Sequence, residues 1–483
     1  MKPRLLTLAV CLAFVAAAHA ACAEGLTLKY KVSEKIKISA IAAAQPSLTK
    51  VLLEKREDTS EKAYVVTLAP GVLNIRAGDE EKLFDFVKKS FTLIDHAAKT
   101  YTVMPLHTMP LARSNLRRQA TQKAIDWENA SGTGKMVKTM SGIALDVNGP
   151  LVDLDALYAS AGENKSSHLI RATVVGETHK FETDDGLLAS FTLSSTPVPA
   201  DLSLVYHRLF VYGADIHPDV EKAIAASPSV LQTLAYRTDD HVGRVTQGTW
   251  TLEGTEPAGA LPKVPEGYTE HFSLDAAINT AMTSARKPGP DADYFGKQVQ
   301  TFLAQNDPLR ALLALHEALL SLPKEKTDPL DPLTLKVLSA GGGAIVEGTM
   351  LTLTQNFTTK GDLDMSNASL KNAKAAAKDY TYLLDVFRAR NIRQQLLLDE
   401  RAGKPFNEKE FVKSVRMDMN AIATNPWMAT AYADLGDALF EHGDSMLAWT
   451  CWQEAERMKP DIPSLKKVAE LKARAEKEFP EYF

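Results

Sequence analysis

The feature that most constrains the fold of this 483-residue chain is a change of hydrophobic periodicity near its middle. Before residue 254, short apolar segments alternate with polar residues, which is typical of strands with one buried face. After residue 267, apolar residues recur at intervals of three and four, which indicates helices. Residues 254–267 between them have the proline and glycine content of a linker. The sequence therefore predicts an α+β, multidomain chain, with a β-rich domain carrying short helices at 21–253 and an α-helical domain at 268–483.

The N-terminal part carries its apolar segments at the spacing of hairpin strands. Turn signals at Pro70-Gly71 and Gly78-Asp79 separate several of them, which predicts an antiparallel sheet. Short helices are predicted between the later strands. This order resembles the half-barrel fold of periplasmic lipoprotein-carrier proteins, in which a curved sheet wraps an apolar cavity under a helical lid. The resemblance implies that the domain holds an apolar ligand, and an ordinary β-sandwich or α+β domain is the alternative fold.

The N-terminus, residues 1–20, has the pattern of a secretory signal peptide. Positive residues precede an apolar stretch at 5–18, and Ala18-His19-Ala20 forms a small-x-small cleavage site. We therefore expect an exported, periplasmic protein. No later stretch reaches the roughly 18 consecutive apolar residues that a membrane span needs, so the sequence predicts no transmembrane segment after cleavage.

Cys22 raises the alternative of a lipid anchor, since lipidation signals place small residues directly before the acceptor cysteine, as Ala20 and Ala21 are here. His19 stands where such signals usually have an aliphatic residue, and this favours a mature protein without the anchor. Cleavage would leave only Cys22 and Cys451, so the sequence predicts no disulfide framework.

The most specific motif lies near residues 429–462. The residues that we predict to pack a helix pair there are Tyr432, Leu435, Gly436, Leu439, Gly443, Ala448, Trp452, Ala455 and Pro460. Their spacing is similar to that of a tetratricopeptide (TPR) repeat, written W-x2-L-G-x2-Y, then A-x3-F, then P. Gly436 and Ala448 are small where the two helices would cross. Tyr432 replaces the Trp of the pattern and Leu439 its Tyr, which keeps the bulk.

One repeat cannot bury its own apolar face, so neighbouring copies are expected. Pro426 precedes Pro460 by one repeat length, and Ala421 stands in register with Ala455. A similar second-helix spacing recurs at 311–323. These positions predict a TPR-like array with degenerate copies before the clear one, and a helical bundle with one chance repeat is the alternative.

Resemblance to the TPR family implies a concave surface that binds a protein or peptide partner. The usual groove positions correspond here to Thr430, Asp434, Asp437, Phe440 and Glu441. This face is acidic, and it lacks the Lys and Asn residues with which some family members hold a C-terminal carboxylate. A solvated acidic helix face is the alternative interpretation.

Composition and motifs argue against several classes of function. The formal net charge of −5 gives no basic surface for nucleic acid. Ser47 and Lys50 have the spacing of penicillin-recognising enzymes but lack their companion motifs, and Gly134-Lys135 lacks the rest of a phosphate loop. We therefore predict no catalytic residues and no cofactor.

One grouping has the residue types of a metal site, namely Asp215, His217 and Asp219, with His207 before it and Asp240-His241 after it. Zinc needs three or four converging ligands. Pro218 more simply begins a helix whose first turn is acidic, so no metal is predicted.

Together these features predict an exported, non-enzymatic binding or assembly protein of the bacterial envelope. Its helical repeat would dock a protein partner, and its β-rich domain would hold an apolar ligand. The alternative is a metal-dependent or other hydrolase whose site lies in residues 200–245.

Overall fold

The computed structural model divides the chain into two compact units. The first contains residues up to Glu270 and residues Ala475–Phe483, and the second is His271–Arg474. The residues that the structure describes are 25–38, 58–112, 171–183, 186–213, 216, 218–239, 244–340, 343–355, 357–404, 406–442 and 444–483. The predicted signal peptide, Cys22 and Ser47 lie outside them.

The first unit is built on one antiparallel sheet of twelve strands in the order β12-β6-β5-β4-β3-β2-β1-β11-β10-β9-β8-β7. One sheet, rather than the two of a sandwich, is thus formed by the described residues. The strands are β1 Leu26–Ile38, β2 Asp58–Ala69, β3 Val72–Ala77, β4 Glu80–Asp85, β5 Ser90–Asp95, β6 Thr100–Pro105, β7 Arg171–Val175, β8 Thr178–Thr183, β9 Gly186–Pro197, β10 Ser229–Asp239, β11 Arg244–Pro257 and β12 Thr269–His271.

The hairpin turns have local causes that are visible in the sequence. Gly71 and Gly78 follow β2 and β3 with φ of 69° and 62°, a conformation that glycine adopts without strain. After β4 and β5, the carboxylates of Asp85 and Asp95 accept backbone N–H groups of the turn. These turns fix the register of neighbouring strands, and the predicted antiparallel sheet is confirmed.

Two helices, α1 Ser203–Gly213 and α2 Pro218–Ala225, belong to this unit. Helix α1 packs on the sheet near β2 and β3. The ring of Phe210 lies 5.9 Å from that of Trp250, and Trp250 in turn contacts Tyr30 at 5.4 Å. All three aromatic side chains are fully buried. The face of the sheet under α1 is therefore filled by side chains of the chain itself.

Strand β10 departs from regular pairing with β9 at Leu231, where the register shifts on both sides. The backbone N–H of Leu231 donates to the hydroxyl of Tyr206 at 2.7 Å, and its carbonyl accepts from the hydroxyl of Tyr30 at 3.2 Å. A buried backbone group without a partner is costly, so two tyrosines of other elements replace the missing ladder bonds. Burial raises the pKa of the Tyr30 and Tyr206 hydroxyls above the usual tyrosine value, so neither hydroxyl ionises at neutral pH.

We expect Tyr206→Phe to lower the free energy of unfolding by about 1–3 kcal/mol, because the Leu231 N–H would stay buried without an acceptor. Tyr101→Phe is the matched control, since Tyr101 is half-buried on β6 and its hydroxyl has no hydrogen-bond partner within the part of the chain that the structure describes. It should change stability by less than about 0.5 kcal/mol. Denaturant unfolding of the two variants gives the comparison, and equal effects would contradict this role of Tyr206.

After His271, the last residue of β12, all regular secondary structure in the described residues of the second unit is helical. Its helices, with the last turn of the last one counted in the first unit, are α3 Ala276–Ala285, α4 Ala292–Ala304, α5 Pro308–Ser321, α6 Lys324–Thr327, α7 Asp331–Ala340, α8 Ala344–Thr354, α9 Lys360–Ala376, α10 Thr381–Arg401, α11 Glu408–Thr424, α12 Ala429–His442, α13 Ser445–Met458 and α14 Leu465–Glu478. The predicted α+β order, a β-rich part followed by helices, is confirmed. None of the described helices is both long and apolar enough to cross a membrane.

Two segments are divided in the structure at positions that their sequence pattern does not mark. The linker expected at 254–267 begins inside β11, because pairing with β1 continues to Pro257 opposite Leu26, and the two units divide between Glu270 and His271. Residues 370–401, whose sequence pattern is helical throughout, are divided between two helices, α9 and α10. Between them Tyr380 turns its ring into the core, where it meets Phe302 at 6.2 Å.

Candidate functional site

The helix pair α12 and α13 carries the predicted repeat. Tyr432, Leu435, Ala448, Trp452 and Ala455 are all buried, with at most 4% of each exposed. At Gly436 the two helices approach closely, since a Cβ atom there would lie 2.5 Å from Cδ1 of Trp452 and 3.1 Å from the carbonyl of Ala448. A methyl group thus has no room beside the indole.

The other predicted packing positions are less central. Leu439 is half-buried and Pro460 is exposed just after α13. Gly443 lies outside the described residues. The sequence spacing therefore places the small residue Gly436 opposite the large aromatic residue Trp452 at the centre of the helix pair. This holds for any number of repeats.

Gly436→Ala should lower the free energy of unfolding by about 1–3 kcal/mol, because overpacking forces the indole or the α13 backbone to move. Trp452→Ala should cost about 3–5 kcal/mol through the cavity that it leaves. Gly361→Ala is the control: this helical glycine of α9 has open space around its Cα, and the change should be neutral or stabilising by up to about 1 kcal/mol. Thermal unfolding of the three variants tests this; equal responses at Gly436 and Gly361 would contradict the close crossing.

The predicted groove residues on α12 are largely engaged within the helical unit. Thr430 is buried and donates to the carbonyl of Leu320 at the end of α5, at 2.9 Å. Asp434 accepts from Nε of Arg390 on α10 at 2.6 Å, and Asp437 accepts from Nε1 of Trp452 at 3.0 Å. Helix α5 thus covers the Thr430 end of this face. A helix of the same chain therefore lies against that end, and partner binding by this face stays a prediction.

The two remaining residues of the predicted groove, Phe440 and Glu441, lie near the C-terminal end of α12. The ring of Phe440 lies 5.1 Å from that of Trp452, while Glu441 is exposed. Of the five predicted residues, Glu441 presents its side chain most openly. The structure therefore places all five positions on one helix, with Thr430 buried at one end and Glu441 exposed at the other.

Helix α5 is held in place by a buried carboxylate, Glu317. It accepts from the hydroxyl of Tyr382 at 2.5 Å and from Nδ2 of Asn425 at 2.6 Å. Burial raises the pKa of Glu317, and the two hydrogen bonds oppose that rise. These bonds join α5 to α10 and to the turn before α12. Because both partners are neutral, the carboxylate is solvated by fixed dipoles rather than by a counter-charge.

Alternating charges run through the same interior. Arg393 on α10 donates to buried Asp418 of α11 at 2.5 Å, beside the Arg390–Asp434 pair. Burial raises the pKa of Asp418, and Arg393 opposes that rise. Burial also raises the pKa of Asp437 to about 6, with Lys467 at 3.8 Å opposing it. The acidic face predicted for partner binding is thus partly a set of internal ion pairs.

The pKa of Asp437 gives a pH-dependent prediction. Because the folded pKa of about 6 exceeds the ordinary value of 3.8, folding is favoured while this carboxyl is protonated, and stability falls as pH rises from about 4 through 6. Asp437→Asn keeps an oxygen acceptor for Trp452 and removes the charge. We expect the free energy of unfolding of the variant, relative to that of the wild type, to increase by on the order of 1 kcal/mol as the pH rises from about 4 to 7. Denaturant unfolding across this range measures the difference, and a constant difference would refute the assignment.

A cavity of about 670 Å³ lies between α9, α10 and α11, and we call it the α9–α11 cavity. Its size is within the range of about 300–1,000 Å³ that is usual for ligand pockets. Apolar side chains form part of the wall: Leu370, Leu384, Ile392 and Leu396. Asn391 adds an amide that already donates to Ser366 and Asn367. The cavity thus combines apolar surface with polar groups held in fixed positions.

The acidic and the basic side chains of the cavity wall differ in whether they have an ion-pair partner. Every acidic residue of the wall already has a lysine partner: Asp385 has Lys374 at 3.0 Å, Asp399 has Lys404 at 2.7 Å, and Glu410 has Lys413 at 2.8 Å. Lys371 and Arg388 have no carboxylate partner among the described residues. The cavity therefore presents two unpaired positive groups and can neutralise an anionic ligand.

The sequence did not reveal this cavity. Its lining residues come from three helices and share no motif, and the break at Tyr380 that separates α9 from α10 was not predicted. The unpaired state of Lys371 and Arg388 depends on which carboxylates the fold brings near them.

The predicted alternative site at 200–245 is only partly within the described residues. On α1, Nε2 of His207 lies 3.2 Å from Oγ of Ser203, and burial lowers the pKa of His207. Asp219 is exposed in the first turn of α2. Asp215, His217 and His241 lie outside the described residues. Within those residues, no three His, Cys, Asp or Glu side chains are grouped as metal ligands.

A hydrogen-bonded chain of polar groups that was not predicted lies in the first unit. Nε2 of His96 contacts Oε2 of Glu81 at 2.6 Å, and its Nδ1 contacts the hydroxyl of Tyr268 at 2.8 Å. Nδ2 of Asn74 donates to the other oxygen of Glu81. The order of carboxylate, imidazole and hydroxyl resembles an acid–base relay. These contacts hold the segment before β12 against the β4–β5 hairpin. We therefore interpret this series of hydrogen bonds as structural.

Comparisons with known proteins give little more. No protein family and no curated protein matches the chain. Among solved structures, 90% of the chain aligns with 56% of a chain in the structure described as "Lipid-protein interactions in lipovitellin", at 9% sequence identity and a TM-score of 0.20. The chain thus spans about 56% of that protein's length. A similarity this low supports no statement about fold or function.

Proposed function

We propose that this chain is an exported, non-enzymatic binding protein of the bacterial envelope whose helical unit docks an acidic segment of a protein partner. The observation that carries the proposal is the α9–α11 cavity with its two unpaired bases, Lys371 and Arg388. The residue spacing of α12 and α13, which resembles a TPR repeat, supports it, since arrays of that family bind peptides. The expectation of export rests on the pattern of residues 1–20.

The chemistry of the cavity defines the partner. Carboxylates of a peptide would pair with Lys371 and Arg388, which are exposed and would lose little hydration on binding. Apolar side chains next to those carboxylates would contact Leu384 and Leu396. We therefore expect a segment in which acidic and aliphatic residues alternate. The acidic residues of the predicted groove on α12 are not part of this site.

An apolar ligand of the β-rich unit is a second proposal, which the strand order suggested. On the part of the sheet under α1, such a ligand would have to displace that helix, since buried Phe210 and Tyr206 already fill that part. The alternative of a hydrolase at 200–245 stays a hypothesis. Metal analysis of the purified chain distinguishes it, because stoichiometric, tightly bound zinc would favour the hydrolase.

Selection from a random-peptide display library on the full chain tests the proposed function. Enriched peptides should contain Asp and Glu beside aliphatic residues, and their binding should weaken with added salt. The double variant Lys371→Gln, Arg388→Gln should bind them at least about tenfold more weakly, a loss of about 1.4 kcal/mol. Both residues are exposed, so the fold should be unaffected.

The matched control is the double variant Lys466→Gln, Lys472→Gln, which removes two exposed positive charges from α14. It should bind the selected peptides like the wild type. Enrichment without acidic residues, or equal losses in the two double variants, would refute the proposed site.

A further inference from the structure

The last residues of the chain occupy a defined surface of the first unit. After α14, residues Pro480–Tyr482 form a single 3-10 turn, and Tyr482 is completely buried. The surface beneath them is formed by Phe86 and Lys89 after β4, His107 after β6, and Arg208 and Tyr212 on α1. We call these five residues the tail site.

The tail site contacts Glu481 through both its side chain and its backbone. Nη2 of Arg208 donates to Oε1 of Glu481 at 2.6 Å, and the Arg208 side chain is only 12% exposed. Nζ of Lys89 donates to the carbonyl oxygen of Glu481 at 2.8 Å. A largely buried arginine paired with a carboxylate gives a strong preference for an acidic residue at this position.

The next two positions require aromatic rings. The hydroxyl of Tyr212 donates to that of Tyr482 at 2.6 Å, and the ring of Phe86 lies 5.7 Å from the ring of Tyr482. The guanidinium of Arg208 stands 5.5 Å from the centre of the same ring. Phe483 stacks on His107 at 4.8 Å with an interplanar angle of 11°. Aromatic residues of this kind account for most of the energy of small peptide interfaces.

We propose that the tail site is a peptide-binding site for segments in which an acidic residue is followed by two aromatic residues, and that residues 481–483 of this chain occupy it. All the contacts above come from three consecutive residues after the last helix. Undocking them would leave the strands and helices of the unit in place, so the segment can be exchanged by local opening rather than by unfolding. This proposal does not depend on the α9–α11 cavity.

Occupation by the chain's own tail would suppress binding of other segments. A tethered ligand acts at an effective concentration on the order of millimolar, so a free peptide competes poorly while the tail is present. The site would become accessible when the tail is removed or displaced. A partner with the same acidic and aromatic order, at higher affinity, would then replace it.

The test uses the chain lacking residues 480–483 and a fluorescent peptide of residues 475–483. Anisotropy should show saturable binding to the shortened chain and at least about tenfold weaker binding to the full chain. The matched controls lie in the peptide, so they cannot affect folding of the protein. Peptides with Glu481→Gln or Tyr482→Ala should each bind at least about tenfold more weakly than the parent peptide.

Three experimental results would contradict the proposal. A folded shortened chain that does not bind the peptide would overturn it, and so would binding that is indifferent to Tyr482→Ala in the peptide. If the shortened chain does not fold, the full-length Tyr482→Ala chain replaces it, since this variant keeps the backbone and empties the pocket. Should that chain fail to fold as well, the tail is an integral part of the core and the proposal is wrong.

Discussion

The pairing of β1 with both β2 and β11 is the constraint on which the first unit depends. Residues 26–38 lie opposite 244–257, more than two hundred positions away in the chain. On one side of β1 the strands follow one another as hairpins through β6, and on the other they run back from β11 to β7. Without β1 these would be two separate sheets. The long-range pairing must therefore form before α1 has one continuous face on which to pack.

The packing of α1 on that face determines what the unit can bind. Phe210 contacts Trp250, and Tyr206 contacts Phe210, while Arg208 and Tyr212 of the same helix form part of the tail site. The same helix thus fills the inner face of the sheet and forms part of the proposed peptide site. Displacing α1 would alter both, whereas displacing residues 480–483 would expose only the second.

The helical unit achieves its packing in a different way, through charges as well as apolar contacts. The carboxylates of Glu317 and Asp418 are buried and lie between helices, where each accepts two hydrogen bonds or pairs with a guanidinium. Internal pairing of the acidic residues leaves the positive groups Lys371 and Arg388 at the α9–α11 cavity. Both sites proposed above, the α9–α11 cavity and the tail site, would take acidic peptide segments, although the chain has a formal net charge of −5.

The sequence by itself determined the features that are set by neighbouring residues. Turn residues such as Gly71 and Gly78, alternation along β2 and the small–large pattern of Gly436 and Trp452 act over a few positions, and the order of a β-rich part followed by helices could be predicted from them. The tertiary structure alone decided the rest. Thr430 lies against the end of α5, the cavity between α9 and α11 is lined by residues of three helices, and Tyr482 meets Phe86 across almost four hundred residues of chain. Such contacts depend on which distant surfaces fit together, and no local periodicity records that fit, because side-chain packing acts through space rather than along the chain.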